Sequence, residues 1–398
     1  MTAAASGAGG AVEDRLRREI GRWDLGRPGP TLLVLGGVHG NEPAGVQACE
    51  RVLQTLAARE LPIAGRLLAL AGNLPALAAQ RRYLVRDLNR GWSAAAIASL
   101  RRAAPADLSS EDQQQIELLD AFEQALATAA GPVVFIDLHS SSADGPPFLC
   151  LADTIDNRDL GLLTGVPIIL GIEETIDGAS LEWFANHGVV ALAVEGGRHL
   201  HPETVRNHEA VLWLLLAELG MLPVGAVDVA AQRAQLQKSV ATAPPIVEIV
   251  HRQAITVADQ FRMRPGFVNF APVQKGDLLA QDCRGEVRAS HTGCVLLPLY
   301  QALGEDGFFL ARKVNQFWLG VARWLRRCRC DALVTWLPGV RRDPQDGLTI
   351  LVNPRVARWF VTELFHLLGF RKERRRGAEL AFSRRYSRPE NARLLRRR

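Results

Sequence analysis

His39 and Glu42, three residues apart in the stretch TLLVLGGVHGNEPAG (31–45), are a histidine and a carboxylate able to do metal chemistry together. Carried on one turn, an imidazole nitrogen and a carboxylate oxygen can reach the same small cation, and this mixed pair suits Zn²⁺. A third donor stands far along the chain, His139 in VVFIDLHSSS (133–142). Two histidines and one glutamate fill three corners of a tetrahedral site and leave the fourth for water, the arrangement of a catalytic zinc rather than a structural one. One Zn²⁺ per chain is the expected cofactor. Asp137 is read as turned away from its neighbours on the strand, so no group is assigned to hold the far ring nitrogen of either histidine.

These donors need rigid supports. Residues 31–35 are a short apolar run closed by Gly36 and Gly37, which reads as a buried strand ending in a tight turn, and Gly40 and Gly45 are expected to supply unusual backbone angles there. Residues 133–138 form a second apolar strand that delivers His139 at its carboxyl end, where open α/β sheets collect ligands. Between and beyond them the pattern alternates. Helices are predicted at 45–57, at 109–129 with Ser110 as cap, and at 202–219; further strands fall at 66–71, 148–151, 167–170 and 189–194. A helix is also expected at 11–23, broken by the Gly and Pro residues of 26–30. Such alternation predicts a sheet covered by helices on both faces.

From about residue 225 the character changes. Short apolar runs punctuated by glycine fill 246–311 (VEIVHRQAITV, FRMRPGFVNF, GCVLLPLY), which predicts a small all-β domain. In the last part, Val314, Phe317, Trp318, Val321, Trp324 and Leu325 share one helical face, 355–370 repeats that behaviour, and 348–352 reads as a strand between them. RKERRRG and the closing LLRRR are expected to be solvated or disordered. The resulting division is a disordered leader at 1–12, a catalytic domain at 13–225, a β domain at 226–312 and an arginine-rich extension at 313–398.

Taken together, HGNE, RDLNR (86–90), DLHSSS and VEGG (194–197) resemble the succinylglutamate desuccinylase and aspartoacylase family, over roughly 31–310. The resemblance implies a zinc carboxypeptidase-like α/β/α catalytic domain with a smaller all-β domain leaning over the metal cleft; the basic α/β extension lies beyond the family pattern. It further implies that Glu195 is the catalytic glutamate, taking a proton during attack on an amide carbonyl and handing it to the leaving nitrogen. Arg82 would stabilise the developing oxyanion, and Asn89 and Arg90 would hold a substrate carboxylate. Asp87 is read as supporting that loop. Two departures weigh against N-acetylaspartate as substrate: Ala185 stands where aspartoacylases carry an arginine, and Phe308 replaces a tyrosine of their β domain. Arg198 is a candidate replacement contact for a carboxylate. His199 and His201 suggest a second metal pair, although alternating histidines in a loop more often face solvent.

The bulk composition fits that picture. At 398 residues, 48% hydrophobic and 22% charged, the chain is globular and long enough for two or three domains. Its six scattered cysteines show no disulfide framework, the usage of a reduced, cytoplasmic compartment. The apolar window 210–227 is interrupted by Glu218 and Pro223 and is too short to span a bilayer. The net charge of +5 hides an asymmetry, because residues 311–398 hold 22 Lys and Arg against 7 Asp and Glu. That excess makes an anionic partner for the extension worth testing. The expected activity is hydrolysis of the amide of a small N-acyl amino acid or related amide by a homo-oligomeric enzyme. A carboxypeptidase-like activity on short peptides, and a binding protein with a vestigial zinc site, are the alternatives.

Overall fold

The computed structural model describes residues 16–240, 243–328, 330–344, 346–353, 356, 365, 367–376, 379–385, 388 and 390–391. The leader expected at 1–12, most of the helix expected at 355–370 and the closing LLRRR lie outside these residues. Up to residue 313 the strands are β1 (Glu19–Asp24), β2 (Thr31–Gly36), β3 (Arg66–Ala71), β4 (Val133–Ser141), β5 (Phe148–Leu151), β6 (Ile168–Leu170), β7 (Val190–Arg198), β8 (Ile246–Ala254), β9 (Arg262–Met263), β10 (Ala271–Val273), β11 (Leu278–Asp282), β12 (Gly285–Arg288), β13 (Gly293–Leu296) and β14 (Asp306–Lys313). Eleven of these make one sheet, ordered β1-β3-β2-β4-β7-β5-β6-β8-β14-β13-β10.

β2 runs parallel to both β3 and β4, and β4 runs parallel to β7. The chain leaves β2 for β3 on one side and returns as β4 on the other, which opens a crevice at the carboxyl ends of β2 and β4. Both faces of the sheet are covered. Leu32 and Val34 enter one core with helices Ala44–Ala58 and Pro202–Glu218, while Leu33 and Leu35 enter the other with helices Ser110–Ala127 and Ser180–Asn186. This two-sided burial is why TLLVLG is apolar throughout instead of alternating. The second core is aromatic, with Phe135 and Phe184 stacked at 3.8 Å between ring centroids.

Local signals are overridden in a few places. The expected helix at 11–23 is, over its described part, the edge strand β1, antiparallel to β3 with Trp23 opposite Leu67. Edge pairing and the Trp23 Nε1 hydrogen bond to Leu61 O at 2.9 Å outweigh the helical spacing of its leucines. Helix Ser110–Ala127 is capped by Ser109, not Ser110, through a reciprocal bond with Asp112. β4 continues to Ser141 and so takes His139 into the strand itself.

The β-rich region does not stand apart. β8 pairs with β6 through Ile168 and Ile246, so β8, β14, β13 and β10 extend the main sheet, and only β9, β11 and β12 form a separate one. In the extension, helix Gln316–Arg327 is followed by a four-stranded antiparallel sheet of β15 (Val340–Arg342), β16 (Thr349–Val352), β17 (Phe370–Arg376) and β18 (Glu379–Arg384). The stretch RKERRR is therefore a strand, paired with β18, and not a solvated run. The apolar face expected on the helix is split: Val314 packs on the main core and Leu325 on the extension's own, while Phe317, Trp318 and Trp324 are exposed. No helix among the described residues is long and apolar enough to cross a membrane.

Candidate active site

Three glycines shape the turn after β2, for two different reasons. Gly37 has φ +69°, a left-handed conformation that resists a side chain. Gly40 and Gly45 have no positive φ, which corrects the expectation of unusual angles; they provide clearance. A Cβ on Gly40 would fall 2.0 Å from the Ala76 carbonyl carbon, and one on Gly45 would fall 2.7 Å from Leu138 Cβ. The turn thus lies tight against its neighbours, with Glu42 N donating to His39 O at 3.1 Å.

That packing brings the three sequence-distant donors together. His39 Nδ1 stands 2.9 Å from Glu42 Oε1, and His139 Nδ1 stands 3.3 Å from Glu42 Oε2. All three residues are buried and their ligand atoms lie within 4.8 Å of one another, the only such group among the described residues. Each histidine turns Nδ1 to the common centre because its Nε2 is held from behind, by Asp87 Oδ1 at 3.1 Å for His39 and by Asp137 Oδ2 at 3.2 Å for His139. Asp137 therefore does not point away from the site. It precedes His139 by two residues on one strand, so both leave the same face. Ser180 Oγ donates to Asp137 Oδ2 at 2.8 Å and fixes it in turn.

The charge balance also suits a cation. Burial disfavours charge on Glu42, yet the two histidines outweigh it and hold its carboxyl well below the ordinary range. Burial likewise disfavours charge on His139, yet Asp137 and Glu42 raise its pKa well above the ordinary value. A buried centre with two nitrogens, one carboxylate and two carboxylates behind them is a good fit for Zn²⁺.

Arg82 reaches this centre from the loop between helix Leu74–Ala78 and the short turn Leu88–Arg90. Its Nη2 donates to Asp87 Oδ2 at 2.9 Å and its Nη1 to Glu42 Oε1 at 3.4 Å. Asp87, read from the sequence as a support, holds His39 and Arg82 and also caps the short turn Leu88–Arg90 through Asn89 N at 2.9 Å. A residue not singled out in the sequence anchors the same loop. Glu111, fully buried on helix Ser110–Ala127, accepts from Leu84 N at 2.7 Å, Val85 N at 3.1 Å and Asn73 Nδ2 at 3.1 Å. Burial works against its ionised form, and these donors outweigh it, so its carboxyl lies below the ordinary glutamate value of 4.5. Glu111→Ala removes the acceptor of three donors, one buried and two part-buried, and is expected to lower unfolding free energy by about 2–4 kcal/mol in urea titrations. A depressed folded-state pKa means that this contribution is present above the ordinary value and is lost as pH falls through the lower one. The wild-type and variant curves should therefore converge in acid.

Glu195 lies on β7 in register with His139 on β4, so its side chain leaves the sheet on the same side. It lines one cavity with His39, Glu42, Arg82 and His139. Its Oε2 is buried and has no hydrogen-bond partner. Burial pushes the Glu195 carboxyl up to about 7, with Glu42 adding to the rise and His139, His39 and Arg82 opposing it. Gly196 beside it is needed for clearance, because a Cβ there would meet the buried His208 ring at 2.6 Å.

Asn89 and Arg90 also line the cavity. Asn89 Oδ1 accepts from Ser180 N at 2.8 Å. Arg90 is paired with Glu305 and Asp306 of the β-rich region, at 3.2 Å each. That region roofs the cavity with Leu297, Leu299, Gln301 and Phe309. Arg198 is not brought to the site: it does not line the cavity and pairs with Asp144 at 3.2 Å on the surface. His199 and His201 do not form a metal pair. His199 bridges Ser140 Oγ at 2.7 Å and Gln301 Oε1 at 3.2 Å, and His201 caps helix Pro202–Glu218. Ala185 is buried on helix Ser180–Asn186 and Phe308 in the core of the β-rich region, so neither lines the cavity; its neighbour Phe309 does. The i, i+2 spacing of Asp137 and His139 was a legible signal; nothing in the sequence marked Glu111 or Gln301.

Residues 28–160 match the model of the succinylglutamate desuccinylase/aspartoacylase catalytic domain. A curated succinylglutamate desuccinylase from Burkholderia cenocepacia is 37% identical over 111 residues, 28% of this chain and 30% of that protein, so the match spans under a third of the relative's length. Among solved structures, succinylglutamate desuccinylase from Vibrio cholerae aligns with a TM-score of 0.51 and 18% identity over 72% of this chain and 82% of that one. Murine aminoacylase 3 aligns with a TM-score of 0.52 and 18% identity over 72% of this chain and 96% of that one. These structures share the mixed α/β fold. Over residues 28–160 the chain is thus similar to the succinylglutamate desuccinylase/aspartoacylase catalytic domain, and over most of its length it shares the fold of these structures.

Proposed function

We propose that the protein is a zinc-dependent hydrolase that cleaves the amide bond of small N-acyl amino acids. The observation carrying this reading is the unpartnered, buried Oε2 of Glu195, facing a cavity that also holds the His39, Glu42 and His139 donors. Leaving a carboxylate oxygen without a partner in such a place is costly and fits a group whose partner is the reacting molecule. His39 Nδ1, His139 Nδ1 and a Glu42 oxygen would hold the metal. When bound, Zn²⁺ supplies Lewis acidity, acidifying water and polarising a carbonyl. Glu195 takes the proton of the attacking water and returns it to the leaving nitrogen. Arg82, fixed by Asp87, presents its guanidinium to the oxyanion. Asn89, whose Oδ1 is held by Ser180, and Arg90 take the substrate α-carboxylate, with the half-exposed Glu305 the partner it displaces.

The walls favour an apolar side chain over a second carboxylate. Ile172, Ile176, Leu181, Leu297 and Phe309 line the cavity, and so do the carboxylates of Glu173 and Glu182. The cavity's two arginines are already engaged, Arg82 by Asp87 and Glu42 and Arg90 by Glu305 and Asp306. The roof over the metal centre favours a small substrate over an extended peptide. The test is a panel of N-acetyl amino acids on the zinc-loaded protein. N-acetyl-leucine and N-acetyl-methionine are expected to exceed N-acetyl-aspartate in kcat/KM by about 10–100-fold, the scale of like-charge juxtaposition and apolar pocket discrimination. Equal or better turnover of the aspartate compound would remove this specificity, and no hydrolysis of any member would remove the hydrolase reading.

A further inference from the structure

We infer that the C-terminal extension is a working part of the active-site cavity, and that Arg385 is a positioning residue that sets the charge of its far wall. The inference rests on the hydrolase reading for its substrate class, but its geometry is independent of that reading. Two carboxylates of the cavity wall, Glu173 and Glu182, are buried, and Arg385 reaches both from behind: Nε lies 3.6 Å from Glu173 Oε2 and Nη2 lies 3.9 Å from Glu182 Oε1. Only 13% of the Arg385 side chain is exposed, so its charge acts across shielded space.

The same segment grips the helix that carries the wall. Arg385 Nη1 donates to Asn186 Oδ1, Arg388 Nε donates to His187 O at 2.8 Å, and Asn391 Nδ2 donates to Gly188 O at 2.8 Å. These contacts hold the carboxyl end of helix Ser180–Asn186. Its amino end belongs to the active site: Ser180 bonds Asn89 and Asp137, and Glu182 Oε2 accepts from Gly178 N at 2.9 Å. One short helix therefore links the extension to the residue behind His139, to the substrate amide Asn89 and to the acidic wall. Nor is the extension loosely tethered, because Arg326 is buried and paired with Asp153 at 2.9 Å.

A cation behind two wall carboxylates lowers the wall's preference for positive charge. The extension thereby suits the cavity to neutral side chains. Removing that cation should shift the preference towards N-acyl amino acids with a cationic side chain, and removing a wall carboxylate should shift it the other way.

The experiment compares N-acetyl-lysine with N-acetyl-leucine on the zinc-loaded full chain, by kinetics and by calorimetric binding. Arg385→Gln is expected to raise the lysine-to-leucine ratio of kcat/KM by about 10-fold, with the change falling in KM rather than kcat. Arg385→Lys should return the ratio towards wild type, which a purely structural role would not require. Glu182→Gln should lower the ratio and gives a reading even if Arg385→Gln fails to fold. A ratio within twofold of wild type in folded Arg385→Gln overturns the inference; should that variant not fold, a ratio within twofold of wild type in Glu182→Gln overturns it. A binding ratio that shifts as expected in a protein that hydrolyses neither compound supports the inference and removes only the hydrolase reading. Binding of neither compound overturns both.

Discussion

Glu195→Gln is expected to lower kcat/KM for an N-acyl amino acid by roughly 10²–10⁴-fold, the usual contribution of a positioned general acid and base. The amide is nearly isosteric, so the cavity keeps its shape and the variant should bind one zinc per chain with an unchanged melting temperature. What it loses is the capacity to hold a proton at a wall position beside the His39, Glu42 and His139 donors, where the Glu195 Oε2 makes no hydrogen bond. Burial pushes this carboxyl up to about 7, so its neutral form is already populated near neutral pH and a neutral amide suits the same position. Steady-state kinetics with metal analysis on the same sample decides the matter. Retention of wild-type kcat by the fully metallated variant would remove Glu195 from the chemistry.

His139→Ala is expected to reduce bound zinc from one equivalent to well under a tenth, with activity falling in proportion. Two donors, His39 and Glu42, cannot complete a tetrahedral site in which three protein atoms and a water are required. The residues behind the histidines give a graded version of the same experiment. Asp137→Asn and Asp87→Asn leave the ligands in place but weaken the hold on Nε2, and each is expected to cost about 10–100-fold in zinc affinity. Competition with a chromophoric chelator measures both. The apo protein should remain folded, because Glu42 still has the His39 and His139 rings, Arg82 and the Ser140 N–H at 2.8 Å around it. Zinc affinity of His139→Ala equal to wild type would show that the metal, if bound, sits elsewhere.

Part of the basic extension's charge is used within the chain. Its charge points to an anionic partner, whereas several of its arginines are used internally, Arg326 on Asp153, Arg323 on Asp159 and Arg385 on the cavity wall. An ion pair that docks one region of a chain on another looks, in a sequence, the same as a solvated basic run.

The sequence by itself determined the elements and donors that local chemistry encodes. The apolar runs ending in glycine or histidine marked β2 and β4, helical periodicity marked three of the four helices that cover them but not Ser180–Asn186, and the residue types of His39, Glu42 and His139 marked a candidate metal cluster before any distance was known. Strand parity could also have placed Asp137 behind His139. Tertiary structure alone decided the rest, because it depends on which surfaces meet. β1 is a strand only because the edge of β3 is there to pair with, and RKERRR is a strand only because β18 lies beside it. Arg198 and Arg385 are both arginines in polar surroundings, yet one faces solvent and the other stands behind the active site, since the fold brings Glu173 and Glu182 to Arg385 and only Asp144 to Arg198.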